Sequence, residues 1–435
     1  MQLARTLAFP ALLFTSLASA EVPQARFAPV TQAARGFPAE EARAIQESYD
    51  PQQTPAARDQ TLYMYLNMAQ FFPHQVVSRS GSIRELPVAP NPKIGGVVVR
   101  TALGELSLDD MLKDPRSRVQ GYIVVHRGRI VYEQYPGMRP NDNHLWWSAS
   151  KTLAGLLAAQ LVAEGRLDAD QPVEHYLPEF ATSGWKGTPV RDLADQASGI
   201  NAEDLGLESY SSPKSELSRL IFAERILTPP VAAPALGHRQ ALMSMTRKRP
   251  PGEAFEYSSA NTNMLGLLLE RVTGQRYADL VTERIWSRIG AEGDAMAGLT
   301  PEGDAIAHGM FSSRLRDMAR FGMAFTPSGK PLKKSAMAAV PDAVLDMIQH
   351  GGRHKLHVKP QKLAAMVATF GEEPIAYSWQ WDAVFKDGDL YKSGFHGQGI
   401  YVSPAHDAVV AVFSTSNERA EAGYARAIVN SGLLK

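Results

Sequence analysis

The stretch Trp146-Trp147-Ser148-Ala149-Ser150-Lys151-Thr152 opens a strongly apolar run, Leu153 to Ala163. The run reads as a single amphipathic to fully buried helix. Positions three apart lie on one face of an α-helix, so the Lys151 side chain reaches the hydroxyl of Ser148. The helix N-terminus adds partial positive charge and free N–H groups, which favour a developing alkoxide and oxyanion. A serine hydroxyl is a weak nucleophile until an adjacent group takes its proton. An S-x-x-K pattern by itself recurs by chance in any long chain, so its meaning rests on what surrounds it.

Upstream, Tyr122 to His126, the turn Arg127-Gly128, and Arg129 to Glu133 read as a β-hairpin. The helix from Ser148 to Glu164 ends at Gly165, a C-cap residue. Further helices are expected from Val190 to Asp195, Asn263 to Gly274, Tyr277 to Ile289 and Ser312 to Phe325. In the second of these, Leu265, Leu268, Leu269 and Val272 fall on one face. Residues 327 to 375 read as irregular. Strands return at Trp379–Phe385, Asp389–Ser393, Gly399–Val402 and Ala408–Ser414, and a last helix runs from about Glu418 to Asn430. Strands, a long helical middle, strands and a helix predict an α+β fold. An antiparallel sheet from both ends of the domain is flanked by helices, with a mainly helical subdomain inserted over about 150–375.

The chain has 435 residues, 44% of them hydrophobic, enough for a large core. Lys+Arg and Asp+Glu are both 45, so no basic surface points to nucleic acid or an anionic membrane. Met1 to Ala20 has the layout of a secretory signal peptide: Arg5, an apolar Leu7 to Leu17, then Ala18-Ser19-Ala20. An uncleaved anchor or a buried N-terminal helix is the competing reading. There is no cysteine, hence no disulfide framework. Beyond the leader no apolar run is long enough to span a bilayer. The expected organisation is a signal peptide at 1–20, an N-terminal arm at 21–104 and the main domain at 105–435, in an exported and periplasmic protein. His350, His354 and His357 lie near Gly351-Gly352. The glycines argue against a helix face and no carboxylate completes a set, so this is read as a surface loop, with no metal and no cofactor.

Two further elements bear on Ser148. Tyr257 follows Pro250-Pro251-Gly252 and precedes an apolar helix, so its ring can point into a cleft. A nearby Lys151 would stabilise its phenolate and let it act as base and then acid. Any single tyrosine is more often a half-buried aromatic with a satisfied hydroxyl. The third element is Gly394-Phe395-His396-Gly397-Gln398-Gly399 at a strand start. Backbone comes close to a ligand where there is no Cβ, and a strand-edge N–H there, with that of Ser148, would make an oxyanion hole. Phe395, His396 and Gly397 are the oxyanion or substrate-binding candidates, with His396 a wall or structural residue rather than a base. A plain hairpin turn is the alternative.

In this order and spacing the three elements resemble the β-lactamase-related serine hydrolases, in which S-x-x-K carries the nucleophile. That group includes class C β-lactamases, D-alanyl-D-alanine peptidases, family VIII esterases and 6-aminohexanoate-dimer hydrolases. Gly165 to Val173, Val190 to Leu193 with Ser198-Gly199-Ile200, and His308 to Ser313 with Asp317 to Gly322 resemble supporting segments. The resemblance covers about residues 105 to 420 and leans towards the 6-aminohexanoate-dimer hydrolase branch. It implies Ser148 as nucleophile, with Lys151 and Tyr257 sharing the proton work. Two departures stand out. Ser259 occupies the third place of the usual Tyr-x-Asn motif, and a Lys-Thr-Gly motif, with its cation, is absent. Both lower the expectation of β-lactam hydrolysis.

The sequence thus leads to a metal-free serine hydrolase acting on a small ester or amide through an acyl-serine. A D-alanyl-D-alanine peptidase or class C-like β-lactamase is the second reading. An inactive binding or scaffold protein on the same fold is the third.

Overall fold

The computed structural model describes residues 29–56, 59–229, 236–331, 337–353, 360–418 and 420–434. The leader-like residues 1–20, and His354 and His357, lie outside them. No helix among the described residues is long and apolar enough to cross a membrane.

Seven strands form the main sheet: β1 (Val119–His126), β2 (Arg129–Gln134), β3 (Ala376–Ser378), β4 (Trp381–Val384), β5 (Leu390–Ser393), β6 (Gly399–Ser403) and β7 (Ala408–Ser414). Their order is β2-β1-β7-β6-β5-β4-β3, antiparallel throughout. Both ends of the domain therefore build one sheet, as the order of elements predicts. The β1–β2 turn places Arg127 at φ 48° and Gly128 at φ 71°, the left-handed pair that a tight two-residue hairpin needs. On β7, side chains alternate between two covered faces. Val409, Ala411 and Phe413 join the larger core, while Ala408, Val410 and Val412 join the smaller one.

Each face has its helices. Helix α1 (Lys151–Ala163), α2 (Ser259–Thr273) and α3 (Leu315–Met323) belong to the larger core; α4 (Ala422–Asn430) covers the other face. Every residue of α1 from Lys151 to Leu161 is buried, so the helix is apolar all round rather than on one stripe. Gly155 permits its close approach to the sheet: a Cβ there would lie 2.0 Å from the Trp379 carbonyl oxygen.

Several elements depart from expectation. A second, four-stranded sheet joins His74–Val77, Ala295–Gly298, Phe311–Ser313 and His144–Leu145. Ser312 and Ser313 thus lie in a strand, and the helix expected from Ser312 begins only at Leu315, because the strand pairs with His144 and Leu145. The strand expected over Trp379–Phe385 is broken by Trp379 and Gln380 at φ 45° and 73°, the point where α1 presses on the backbone. Tyr277 to Ile289 is helical but contains a π turn at Thr282–Trp286. Residues 327–375, read as irregular, hold helices at Asp342–His350 and Pro360–Phe370; the first buries Val344 and Ile348, an i, i+4 pair, in a helix of 9 residues, too short for its period to repeat. His350 ends that helix and pairs with Asp346 at 2.8 Å.

Candidate active site

The short strand His144–Leu145 leads straight into the segment that carries Ser148. The amide of Trp146 donates to the Phe311 carbonyl at 2.7 Å, and its indole N–H donates to Ser313 Oγ at 2.9 Å. Its ring is fully buried among Trp286, Phe311 and Phe321. Trp147 then takes φ 48°, an uncommon conformation for a bulky residue, and turns the chain into a 3₁₀ turn, Trp147–Ser150, that runs on into α1. Ser148 sits in this first turn, where backbone N–H groups have no helical acceptor.

Lys151 is fully buried. Its Nζ lies 3.0 Å from Ser148 Oγ, 3.2 Å from Ser259 Oγ and 2.8 Å from the His308 carbonyl oxygen. Burial, and then the charge of Lys392, push its pKa well below the usual lysine value; Asp204, Asp382 and Glu224 pull the other way. The His308 ring is fixed from behind, with Nε2 2.9 Å from Glu224, and Glu224 also accepts from Asn263.

Tyr257 lies in an extended segment held by Gln196. The Gln196 side-chain oxygen accepts from the Ser258 amide at 2.7 Å and from Asn261 at 2.8 Å. The Gln196 side chain in turn meets Gln380. Ser258 Oγ donates to the Ala202 carbonyl at 2.6 Å, and the Tyr257 carbonyl accepts from the Asp204 amide. The ring is thereby presented between ammonium groups. Lys151 Nζ is 5.2 Å and Lys392 Nζ 4.7 Å from its centroid, and Lys392 Nζ donates to its hydroxyl at 3.1 Å.

Lys392 is a cation that the sequence reading passed over. The chain holds no Lys-Thr-Gly here, but Lys392-Ser393, the end of β5, puts a lysine beside Tyr257. On a strand read only for its alternation it did not stand out. Lys392 Nζ bonds Asp382 at 2.5 Å, and Asp382 also accepts from the Ser393 amide and hydroxyl. Burial alone would raise the Asp382 carboxyl; Lys392, Lys362 and those hydrogen bonds override it and hold it at about 2. Burial lowers Lys392 to about 8 against the pull of Asp382. Gly394 follows, where a Cβ would lie 2.4 Å from the Trp146 carbonyl oxygen, so a side chain there would force β5 off the segment that carries Ser148.

Phe395 reaches the cleft and packs edge-on against Trp147, centroids 5.8 Å apart. His396 and Gly397 do not line it. His396, at φ 60°, is buried: Tyr65 Oη donates to its Nδ1 at 2.6 Å, and its Nε2 donates to the Pro55 carbonyl at 3.3 Å. Gly397 packs against Glu421. The cleft measures about 560 Å³ and is lined by Ser148, Tyr257, Ser393 and Phe395 with Asp204 and Lys362. Lys362 Nζ lies 4.7 Å from the Tyr257 ring centroid. Ser259, noted only as a departure from Tyr-x-Asn, is a partner of Lys151.

Known proteins share this fold. The chain is 27% identical over 354 residues to the 6-aminohexanoate-dimer hydrolase of Paenarthrobacter ureafaciens, covering 81% of this chain and 85% of the relative. Among solved structures it is similar to one described as "Putative 6-aminohexanoate-dimer hydrolase from Bacillus anthracis". The TM-score is 0.70 at 23% identity, over 86% of this chain and 93% of that one. It is also similar to EstCE1, a hydrolase with promiscuous acyltransferase activity, with TM-score 0.53 at 15% identity, over 74% of this chain and 97% of that one. At those identities the two structures establish the fold alone. The Beta-lactamase family model matches residues 109–432, and with three-quarters of its length accounted for in this way the chain belongs to the beta-lactamase family of serine hydrolases.

Proposed function

We propose that this protein hydrolyses an ester or amide bond through a covalent acyl-serine at Ser148. The observation that carries the reading is the 3.0 Å contact between Lys151 Nζ and Ser148 Oγ. It is made by a lysine whose burial favours the neutral, proton-accepting amine. Lys151 takes the Ser148 proton as Oγ attacks the carbonyl carbon. Tyr257, its hydroxyl held by Lys392, passes a proton to the leaving alkoxide or amine. The backbone N–H groups of Ser148 and Phe395 hold the oxyanion. Water then attacks the acyl carbon and gives one proton to the Tyr257 phenolate, while Lys151 returns its proton to Ser148 Oγ as the acid leaves.

The substrate is a small molecule, and the similarity to 6-aminohexanoate-dimer hydrolase supports a small ester or amide. Lys362 and Ser393 line the cleft and supply a cation and a hydroxyl near Tyr257, which favours a carboxylate-bearing substrate as the second reading: a D-alanyl-D-alanine peptide or a β-lactam. Intact-protein mass spectrometry after mixing with p-nitrophenyl esters, small amides and a penicillin separates the two. Rapid acylation and release with esters and amides supports the first; a penicillin adduct on Ser148 that turns over promotes the second. Full ester turnover by Ser148→Ala would sink both.

Export rests on the Met1–Ala20 pattern, and the boundary near residue 105 between arm and hydrolase domain on the extent of the resemblance. Expression of the full chain in a bacterial host, with N-terminal sequencing of the periplasmic fraction, tests the first: a mature chain starting at Glu21 is expected.

A further inference from the structure

Ser148 borders two unequal spaces. The large cleft carries Tyr257 on its wall. A second, smaller pocket of about 40 Å³ also reaches Ser148, room for roughly three water-sized groups. Its walls include Thr54, Pro55, Leu207, Ile221, Ile226 and Leu227, with Tyr210, Ser259 and His308 beside them. Two of these come from the N-terminal arm, which is tied down there. Thr54 Oγ1 lies 3.1 Å from Tyr49 Oη, Gln52 donates to Thr228 Oγ1 at 3.0 Å, and the Pro55 carbonyl accepts from His396. His396 therefore serves the site as an anchor for this wall.

The position of Tyr257 orients a substrate. If Tyr257 gives the proton to the leaving group, that group lies in the large cleft, which leaves the smaller pocket at Ser148 for the acyl group. Among the described residues no carboxylate lines the small pocket, and Glu224 behind it is already engaged by Asn263 and His308. An ammonium on the acyl chain would meet only neutral groups there, with no carboxylate to offset its desolvation.

We propose that this pocket is the acyl subsite, that it admits short uncharged aliphatic acyl groups, and that Thr54, Pro55 and Leu207 set the chain-length limit. The inference rests on the serine-hydrolase reading and narrows its substrate class. It is tested by kcat/KM across p-nitrophenyl acetate, butanoate, hexanoate, octanoate and 6-aminohexanoate, with acylation of the full chain followed by intact mass. The expected maximum lies at acetate to butanoate, with a fall of about tenfold or more by octanoate and no gain for 6-aminohexanoate over hexanoate. Ile221→Ala, which deepens the pocket, and Leu207→Ala, a truncation at an exposed position, each raise the octanoate-to-butanoate ratio about tenfold. A flat series, a maximum at octanoate, a preference for 6-aminohexanoate, or an unchanged ratio in both variants overturns the subsite while Ser148-dependent turnover keeps the hydrolase reading. Turnover undiminished in Ser148→Ala, or no acylation by any member, overturns both.

Discussion

The ammonium of Lys392 donates to the hydroxyl of Tyr257 at 3.1 Å while its other contact, at 2.5 Å, is the buried carboxylate of Asp382. The tyrosine thus meets a cation that is itself anchored. Lys392 titrates at about 8, so it is charged at neutral pH and loses its proton as pH rises through that value. Support for Tyr257 is then lost, and kcat/KM should fall on the alkaline side with a limb near pH 8. Lys392→Arg keeps its charge to far higher pH and should move that limb upward. A limb at the same pH in the variant would exclude Lys392 as its origin.

Lys151 should be the costliest position after Ser148. Lys151→Met fills the same volume without a base and is expected to lower kcat/KM about 10²–10⁴-fold with little change in denaturation midpoint. Ser259→Ala removes one of three contacts to Nζ and should cost about tenfold, the worth of one hydrogen bond. Stopped-flow acylation rates would resolve both.

Glu224 acts at one remove. Its charge raises the Lys151 pKa against the larger effect of burial. In Glu224→Gln that opposition is gone, so Lys151 gives up its proton at lower pH. The acid limb of kcat/KM should therefore shift downward. A purely structural role would lower activity at every pH equally.

Gly155→Ala should destabilise the fold by about 1–3 kcal/mol, the usual cost of overpacking. The added carbon would sit 2.0 Å from the Trp379 carbonyl oxygen, backbone that cannot rotate aside. Urea unfolding measures it.

His144 should make the protein acid-sensitive. Burial lowers its pKa from 6.5 to about 3, so the unfolded chain binds a proton that the folded chain refuses. Its contribution is complete above pH 6.5 and shrinks as pH falls towards about 3, by up to about 1.4 kcal/mol per pH unit. His144→Gln should flatten the decline in urea midpoint between about pH 6 and 4.

The hairpin at Arg127-Gly128, the buried helix after Ser148 and the strands at residues 390–414 were legible because local pattern and final burial agree. Both faces of the main sheet are covered, yet β7 still reads as a continuous apolar run. The second sheet was not legible: His144–Leu145 and Phe311–Ser313 have two and three residues, too short for any period. Ser148 and Lys151 stand close together, as their three-residue spacing suggested, and the Tyr257 ring lies near Lys151. Lys392 and Asp382 escaped notice because a lysine and an aspartate on alternating strands look like surface charge until the sheet is covered. Phe395 meets the cleft, but His396 next to it turns away, since its left-handed backbone sends the ring to Tyr65.

The Tyr65–His396 hydrogen bond joins residues 331 positions apart, and β1 pairs with β7 across a comparable span. Contacts of such high sequence separation slow folding, because long loops must close before any of them forms. Ser148 is synthesised early, but β5 beside it and His396, which holds Pro55, come much later. A chain cut short before residue 396 would carry Ser148 and Lys151 without β6 and β7, the strands that join β5 to β1. Activity should therefore appear late and all at once during refolding, as the last strands dock, rather than grow with helix content.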